Sequence, residues 1–411
     1  MLGELYANGH EVQPRRRLDL RYDTRTVRQL LGTRAGEHCW RASVGEGRPQ
    51  SRPLRDALDW LAAHQNEDGH WDADAFGDEC AKADQTACEN PGLVSHDVAV
   101  TGLALIAMLG ADQEQDMGYP FFEDEIDAGT NWLRHQQDPD TGLIGTKVGH
   151  EFLYNHALAT LALCEAYYAT KSPLLKRTCQ NAVDYISRAR NPFGVWRYEE
   201  PPNGMNDTSV TGWMILALKS AERAHLTIDS DSFESALLWL DEVTDERTGR
   251  VGYTDEGSRS SRIVGANEHF PAESGEALTA IGLTLRLRLG QTDRSANPIL
   301  EKHGDLILRV LPEWQAIGFA NDMYYWYHGT LAMREMGGAY WDKWAAPMRI
   351  ALREGQRQDG HERGSWDPKG PWGFSGGRVY ATALMALISE AVELKAQEVE
   401  IETALGGLGY L

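Results

Sequence analysis

The stretch Asn206-Asp-Thr-Ser-Val-Thr-Gly-Trp-Met-Ile-Leu-Ala-Leu218 contains the pattern that decides the fold. Asp207 precedes an apolar run, and a short acidic side chain in that place typically caps the free N–H groups of a helix's first turn. The run is apolar on nearly every side, which predicts a helix that is buried all round. An amphipathic segment at 182–186 and a turn that ends in Gly194-Val-Trp196 come before it. The unit is therefore predicted to be an outer helix, a Gly-Trp turn, a loop and an inner helix.

This unit recurs along the chain. Aligned inner helices share one threonine, with spacings of 51 to 68 residues, at Thr101, Thr160, Thr211, Thr279, Thr330 and Thr382. The outer helices end in pairs such as Trp60-Leu61, and a glycine follows at Gly69, Gly142, Gly194, Gly249 and Gly360; the fifth unit lacks this signature. A period near fifty is typical of stacked helical hairpins. Because closure leaves no exposed ends, we predict an all-α fold, a closed (α/α)6 toroid of six helical-hairpin repeats.

The length and the charge of the chain limit its organisation and its partners. Its 411 residues are divided into an N-terminal arm, 1–52, and a toroid domain with a C-terminal helix extension, 53–411. The net charge of −21 disfavours nucleic acid or an anionic membrane as a partner. The first twenty residues contain no apolar run, so we expect neither a secretory signal nor a membrane span. We expect a soluble protein, with the cytoplasm favoured and the compartment left open.

The cysteines and one acidic loop give weaker indications. Five cysteines, an odd number, do not indicate a disulfide framework. Cys80 and Cys88 could bridge one loop in an oxidising compartment, whereas Cys164 lies in an apolar helix and is interpreted as a small buried hydrophobe. An acid-rich loop without EF-hand spacing is interpreted as solvated rather than calcium-binding. It contains Asp72, Asp74, Asp78 and Glu79.

The segment Gln65-x3-Gly69-x-Trp71, after a helix that ends in Trp60-Leu61, resembles the QW repeat of squalene and oxidosqualene cyclases. The same layout is similar to the β subunits of protein prenyltransferases. The segments 207–213, 322–330 and 376–382 look like a bacterial branch of this superfamily. The resemblance covers roughly residues 53 to 390 and implies the toroid fold. It implies much less about chemistry, because one fold hosts many functions.

The catalytic motifs of these families do not carry over intact. Class II cyclases protonate their substrate with a D-x-D-D-T-A motif, and the best counterparts here, around Asp97 and Asp207, keep only the last acid. Prenyltransferase β subunits bind zinc through Asp, Cys and His, and by repeat register those places fall on Glu273, Gly275 and Tyr325. The Gly-Cys-Gly-Glu-Gln segment of related thioester domains is absent. We therefore expect neither a metal nor a cofactor.

One helical turn before each aligned threonine, side chains are expected to ring one end of the central cavity. They are Asp97, His156, Asp207, Gly275, Trp326 and Arg378. The catalytic candidates are Asp97, Asp207 and Glu273, with His156 as their partner. Two carboxyl groups that face each other across a closed cavity would have separated pKa values. The alternative is that Asp97 and Asp207 only cap helices and that His156 is a satisfied polar group.

Aromatic side chains near the predicted rim are candidates for ligand binding. The run 325–328 is the densest cluster. It would either form a wall that stabilises a carbocation or stacks on sugar rings, or pack in the core. The glycine-rich loop 370–378 could cover a pocket or bind an anion at a helix N-terminus. The ligand-binding candidates are Trp196, Tyr325, Trp326, Tyr327, His328, Trp372 and Arg378.

Three functions are compatible with these patterns. We favour a toroid that binds a small apolar or isoprenoid-like ligand, or a protein partner, in its central cavity, with degenerate catalytic motifs. The second is a cyclase-like or transferase-like enzyme that uses a rim aspartate as an acid. The third is a carbohydrate-active (α/α)6 enzyme, in which Asp207 with Asp97 or Glu273 would be the carboxyl pair. Whether the protein is an enzyme stays open.

Overall fold

A computed structural model describes residues 52–82, 86–112 and 122–407 of the chain. The predicted N-terminal arm, 1–52, lies outside the described residues except for its last position. The secondary-structure elements of the described part are helices, apart from one two-stranded antiparallel sheet, β1 (Thr244–Asp245) with β2 (Arg250–Val251). The predicted all-α class is therefore confirmed.

Long outer and inner helices alternate along the chain, with one short additional helix. In order they are α1 (Arg52–Ala63), α2 (Asp78–Lys82), α3 (Asp97–Asp112), α4 (Glu123–His135), α5 (Phe152–Thr170), α6 (Pro173–Ala189), α7 (Thr208–Arg223), α8 (Asp231–Val243), α9 (Ala277–Arg288), α10 (Ile299–Ile307), α11 (Met323–Met336), α12 (Gly338–Gly355) and α13 (Gly373–Gly407). The last has a non-helical residue at Gly377. Among the helices of the described segments, none combines the length and apolar character needed to cross a membrane.

The inner helices α3, α5, α7, α9, α11 and α13 pack side by side in that order, and α13 also packs against α3. The outer helices lie behind them. In α5, every residue from Asn155 to Tyr167 is buried. The all-round apolar character of the inner helices follows from this arrangement, because neighbours and an outer helix enclose each of them.

The Gly-Trp turns hold each hairpin together. The Trp71 indole donates to the carbonyl of Leu61 at 2.7 Å, and the backbone N–H of Trp71 donates to the Thr101 hydroxyl at 3.0 Å. The indole thereby binds a carbonyl in the last turn of the outer helix, and the threonine fixes the turn to the inner helix. The same pair of bonds is made by Trp196 with Ile186 and Thr211, and by Trp366 with Leu352 and Thr382.

A glutamine in the turn joins one hairpin to the next. Gln137 donates from Nε2 to the carbonyl of Thr178, in α6, at 2.9 Å. Gln356, in the last repeat, makes the same kind of bond to the carbonyl of Pro53, in α1, at 2.7 Å. Because this bond connects residues 303 positions apart, the last hairpin is fixed to the first in the way that consecutive hairpins are fixed to each other.

The turn glycine fits against the next outer helix. Gly69 has φ +103°, and a Cβ there would lie 2.4 Å from the carbonyl oxygen of Ala128. In the sixth repeat the sequence pattern indicates Gly360, but that glycine has open space around it. Gly364 takes the equivalent place, with φ +92° and only 2.0 Å between its virtual Cβ and the carbonyl oxygen of Asp56. The sixth turn is four residues longer, which displaces the glycine from the expected register.

Candidate functional site

The long loops all lead into the N-terminal ends of the inner helices, and the candidate site lies at that rim. The Tyr154 hydroxyl donates to Ser209 Oγ at 2.9 Å, and Ser209 Oγ is hydrogen-bonded to the Tyr324 hydroxyl at 2.9 Å. We call these three residues the hydroxyl chain. Their helices α7 and α11 are separated in the ring by α9, so the Ser209–Tyr324 bond crosses the lumen. All three side chains keep part of their surface accessible.

Asp207 lies behind the hydroxyl chain as the N-cap of α7. Its Oδ1 accepts from the backbone N–H of Val210 at 2.8 Å. Its Oδ2 is buried without a hydrogen bond, 4.0 Å from Arg197 Nε. Burial raises the pKa of this carboxyl to about 7, because the charged form loses its hydration. The carboxyl group is thus a helix cap that titrates near neutrality.

Four tyrosines surround this carboxyl. Burial, and after it the nearby Asp207 carboxyl, raise the pKa of the phenol of Tyr198 and of Tyr253, which are hydrogen-bonded to each other through their hydroxyls. The pKa values of Tyr154 and Tyr324 are raised by burial and by Asp207 as well. All four phenols therefore stay neutral and can donate hydrogen bonds at physiological pH.

A second capping aspartate, Asp322, lies on the other side of Tyr324. Its Oδ1 accepts from the N–H of Tyr325 at 3.0 Å, and burial raises its pKa to about 6. Asp322 is not among the sequence candidates, because they lie one helical turn before the aligned threonine, whereas α11 begins one turn earlier relative to Thr330 than α7 does relative to Thr211. The signal that could have found it is an aspartate directly before an aromatic run, which is the pattern of an N-cap. Asp322 lines a cleft together with Tyr324, Pro371, Trp372 and Tyr380.

Asp97 is the first residue of α3, and its carboxyl group is bonded to the preceding turn. Its Oδ1 accepts from the N–H of Ala73 at 2.9 Å, and it is half-buried. Burial, and to a smaller degree the neighbouring Asp72 carboxyl, raise its pKa to about 6. His70, Asp72 and Asp97 each place one possible ligand atom within 4.8 Å of the others. Asp97 therefore belongs to an acidic group in the first repeat, two repeats away from Asp207 along the ring.

His156 has both ring nitrogens occupied. Its Nδ1 lies 3.0 Å from the N–H of Ile144 and its Nε2 lies 3.0 Å from the carbonyl oxygen of Ala182. The backbone groups fix the tautomer, with Nδ1 as acceptor and Nε2 as donor. Burial lowers its pKa to about 4. His156 thus accepts a hydrogen bond from the turn N–H in the second repeat, as a threonine hydroxyl does in the first, third and sixth repeats. This geometry supports the interpretation of His156 as a satisfied polar group.

The aromatic run 325–328 divides between two environments. Tyr325 points to the outer layer, where its hydroxyl donates to the carbonyls of Ile307 and Val310 at 2.9 and 2.8 Å. Trp326 packs against Trp314 with ring centroids 6.3 Å apart. Tyr327 and His328 point inward and contact Trp213, at 5.6 and 5.1 Å between ring centroids. Since Trp213 lies on α7, this aromatic cluster fills the lumen below the hydroxyl chain.

The remaining candidates lie apart from the hydroxyl chain. Trp196 is fully buried at the end of α6, where it holds the Gly-Trp turn. Arg378 is 1% exposed and donates to the Ser365 hydroxyl, the Asp367 carboxylate and the carbonyl of Glu89. Glu273 is exposed in a 3-10 turn. Of the sequence candidates, the structure brings Asp207, His328 and Trp372 close to the hydroxyl chain and its cleft; the His328 ring lies 4.7 Å from that of Tyr324.

Comparisons with known proteins show the fold alone. No family model matches the sequence, and no curated protein sequence matches it. An α-1,6-mannanase from Salegentibacter sp. HEL1_6 superposes with a TM-score of 0.57 at 10% identity, covering 83% of this chain and 98% of its own. An α-amylase from Clostridium perfringens gives 0.53 at 12% identity, with 85% and 99% covered. The type II terpene cyclase MstE from Scytonema gives 0.50 at 15% identity, also with 85% and 99% covered. The chain thus has a toroid fold that glycosidases and terpene cyclases share.

Proposed function

We propose that the protein binds a small, neutral, largely apolar ligand that carries a hydroxyl or carbonyl group, at the rim of its toroid. The observation that carries this proposal is the hydroxyl chain Tyr154–Ser209–Tyr324, which spans the lumen and keeps accessible surface. Hydroxyl groups that both donate and accept suit an uncharged polar group on a ligand. The tyrosine rings beside them supply the apolar contact.

The state of the carboxyl groups supports binding rather than catalysis. The three aspartates that the described residues place at the rim, Asp97, Asp207 and Asp322, each accept a hydrogen bond from a backbone N–H. Asp207 has no accessible surface and Asp322 has only 5%. A glycosidase needs two carboxyl groups that reach the scissile bond from opposite sides. Asp207 and Asp322 are caps withdrawn behind tyrosines, and the half-buried Asp97 lies two repeats away from Asp207, so the three carboxyl groups do not offer such a pair.

The structural neighbours suggest the chemical class of the ligand. A variant of the terpene cyclase MstE is in complex with geranylgeranyl dihydroxybenzoate, which joins an isoprenoid chain to an aromatic ring with hydroxyl groups. The chemistry of such a ligand, apolar with hydroxyl groups, matches that of the tyrosine rings and of the hydroxyl chain. An isoprenoid alcohol such as geranylgeraniol is therefore our first probe, and α-1,6-mannotriose, which the mannanase binds, is the carbohydrate probe.

Titration calorimetry and thermal shift with these two probes test the proposal. We expect geranylgeraniol to bind and mannotriose not to bind. Tyr324→Phe, which removes one hydroxyl, should weaken binding by about 1 kcal/mol, roughly fivefold. Trp372→Ala should cost about 2 kcal/mol, because aromatic anchors concentrate binding energy. The matched control is Tyr340→Phe, which removes a hydroxyl bonded to Asp305 on the outer layer and should leave the affinity unchanged.

Two outcomes would contradict the proposal. One is the absence of geranylgeraniol binding in protein whose circular dichroism shows a folded helical structure. The other is an equal loss of affinity in Tyr324→Phe and Tyr340→Phe, which would mean that the ligand does not contact the hydroxyl chain.

A second candidate function is acid catalysis by Asp207. The specific observation in its favour is an unpaired, buried Oδ2 on a carboxyl whose pKa is about 7, so that about half of the molecules carry the proton at neutral pH. In such an enzyme the surrounding tyrosines would have to move so that the carboxyl could reach the substrate. Asp207→Asn would then abolish turnover while the protein stays folded.

A further inference from the structure

Two thiols and two imidazoles converge where the last repeat meets the first. The sulfur of Cys80 lies 3.3 Å from His64 Nε2, and the sulfur of Cys88 lies 3.4 Å from the same nitrogen. The Cys88 sulfur also lies 3.2 Å from Nδ1 of His361. The first three residues are buried, and His361 is half-buried in the turn of the sixth repeat. Both cysteines are free thiols in the structure.

The groups around this cluster prepare it for a cation. His64 Nδ1 lies 2.7 Å from the carbonyl oxygen of Trp60, so Nδ1 carries the proton and the lone pair of Nε2 points to the two sulfurs. Metal-ligating histidines characteristically donate their other N–H to a carbonyl in this way. The backbone N–H of Cys88 donates to the Cys80 sulfur at 3.3 Å, a contact that stabilises a thiolate.

We propose that His64, Cys80, Cys88 and His361 form a structural Zn²⁺ site that joins the first repeat to the last. Zinc prefers two thiolates and two imidazoles in a tetrahedron, with bonds of about 2.3 Å to sulfur and 2.0 Å to nitrogen. In such a tetrahedron neighbouring ligand atoms lie about 3.3 to 3.8 Å apart. The nitrogen–sulfur separations that join Cys80 to His64, His64 to Cys88 and Cys88 to His361 are 3.2 to 3.4 Å, close to that size. The ligand atoms of His64, Cys80 and Cys88 all lie within 4.8 Å of one another, whereas His361 contacts this group through Cys88 and would move closer to the other two ligands when the ion binds. The two negative thiolates balance the ion's charge.

The position of the four ligands explains what the ion would do. His64 directly follows the first outer helix, Cys80 lies in the short helix α2, Cys88 lies in the loop after it, and His361 comes 273 residues after Cys88. Four protein ligands fill the coordination sphere and leave no open position, which is typical of a structural rather than a catalytic zinc. The ion would reinforce the Gln356–Pro53 bond and close the ring. It lies away from Glu273, Gly275 and Tyr325, where the prenyltransferase resemblance would place a metal.

Metal analysis of the full-length chain, purified under reducing conditions without chelator, tests this site. We expect about one zinc ion per chain by elemental analysis and native mass spectrometry. Cys88→Ala and His361→Ala should each lose the ion. Cys164→Ala is the matched control, because Cys164 is an equally buried free thiol in α5 and should leave the metal content unchanged. A strong chelator should lower the thermal midpoint of the wild type and leave that of Cys88→Ala unchanged.

If the variants fail to fold, the wild-type protein alone tests the zinc proposal. The X-ray absorption spectrum of the bound zinc should show two sulfur and two nitrogen neighbours. A chain that holds only traces of zinc after incubation with the ion overturns the proposal. A mass two hydrogens lower, with Cys80 and Cys88 in one linked peptide, also overturns it and shows a disulfide instead. Unchanged zinc content in Cys88→Ala would place the metal elsewhere.

Discussion

Replacing Gln356 with alanine is expected to destabilise the whole toroid. The Gln356 side chain is 5% exposed, and its Nε2 donates to the carbonyls of Pro53 and Gly364 at 2.7 and 2.9 Å. The replacement removes both bonds and leaves the buried Gly364 carbonyl without this donor. Each net hydrogen bond contributes about 1 kcal/mol, and an unsatisfied buried group costs about 1 to 3 kcal/mol. We therefore expect the free energy of unfolding to fall by about 2 to 4 kcal/mol.

Urea unfolding, followed by circular dichroism and tryptophan fluorescence, measures this loss. Gln358→Ala is the near control, since Gln358 is exposed and bonds only to the carbonyl of Gln356; it should change stability by less than about 0.5 kcal/mol. Gln137→Ala removes the equivalent pair of bonds between the second and third repeats and should cost as much as Gln356→Ala. The reasoning is refuted if Gln137→Ala is strongly destabilising and Gln356→Ala is not, because the last repeat would then not be fixed to the first.

Three further predictions concern the turns and the buried ionisable groups. Gly364→Ala should lower the thermal midpoint by several degrees, because it would place a Cβ against the Asp56 carbonyl. Gly360→Ala would place no Cβ there and should lower the free energy of unfolding by only about 1 kcal/mol. An equal loss of stability in the two variants would contradict this. His156→Ala should cost about 2 to 4 kcal/mol in urea unfolding by leaving two backbone groups unsatisfied, and a loss below about 1 kcal/mol would contradict its structural role. The pKa of Asp207 is about 7 in the folded state, above the ordinary value of 3.8, because burial favours the protonated carboxyl. The stability that this group contributes is therefore fully present below pH 3.8 and is lost as the pH rises through about 7. Asp207→Asn, which keeps the cap, should raise the thermal midpoint at alkaline pH but not near pH 4, and a shift of the same size at both pH values would contradict this.

The architecture could be predicted because its signals are local. Each hairpin repeats the same short-range bonds, from an indole to a helix end and from a turn N–H to a threonine. The register of Trp71 and Thr101 therefore recurs in the sequence, and the outer and inner helices follow from it. The displaced glycine of the sixth repeat shows the limit of this reasoning. Only its contact with the first outer helix distinguishes Gly364 from Gly360.

The site was predictable only in part, because its groups meet across the ring. Asp207 was identifiable as a capping acid, but its burial was not, and the tyrosines whose pKa values it raises come from four different segments. The hydroxyl chain joins α5, α7 and α11, and no sequence spacing connects Tyr154 with Tyr324. His64 and His361 are likewise distant along the chain. Their approach to Cys88 appears only when the ring is assembled.

The central claim is that the rim binds its ligand without transforming it. The most direct test is product analysis after prolonged incubation of wild-type protein with a bound isoprenoid alcohol, with Asp207→Asn in parallel. The account predicts that the ligand is recovered unchanged from both proteins and that their affinities agree within about tenfold, or 1.4 kcal/mol. Conversion by the wild type that Asp207→Asn abolishes, in a variant that remains folded at the assay temperature, would contradict it and would identify Asp207 as a catalytic acid.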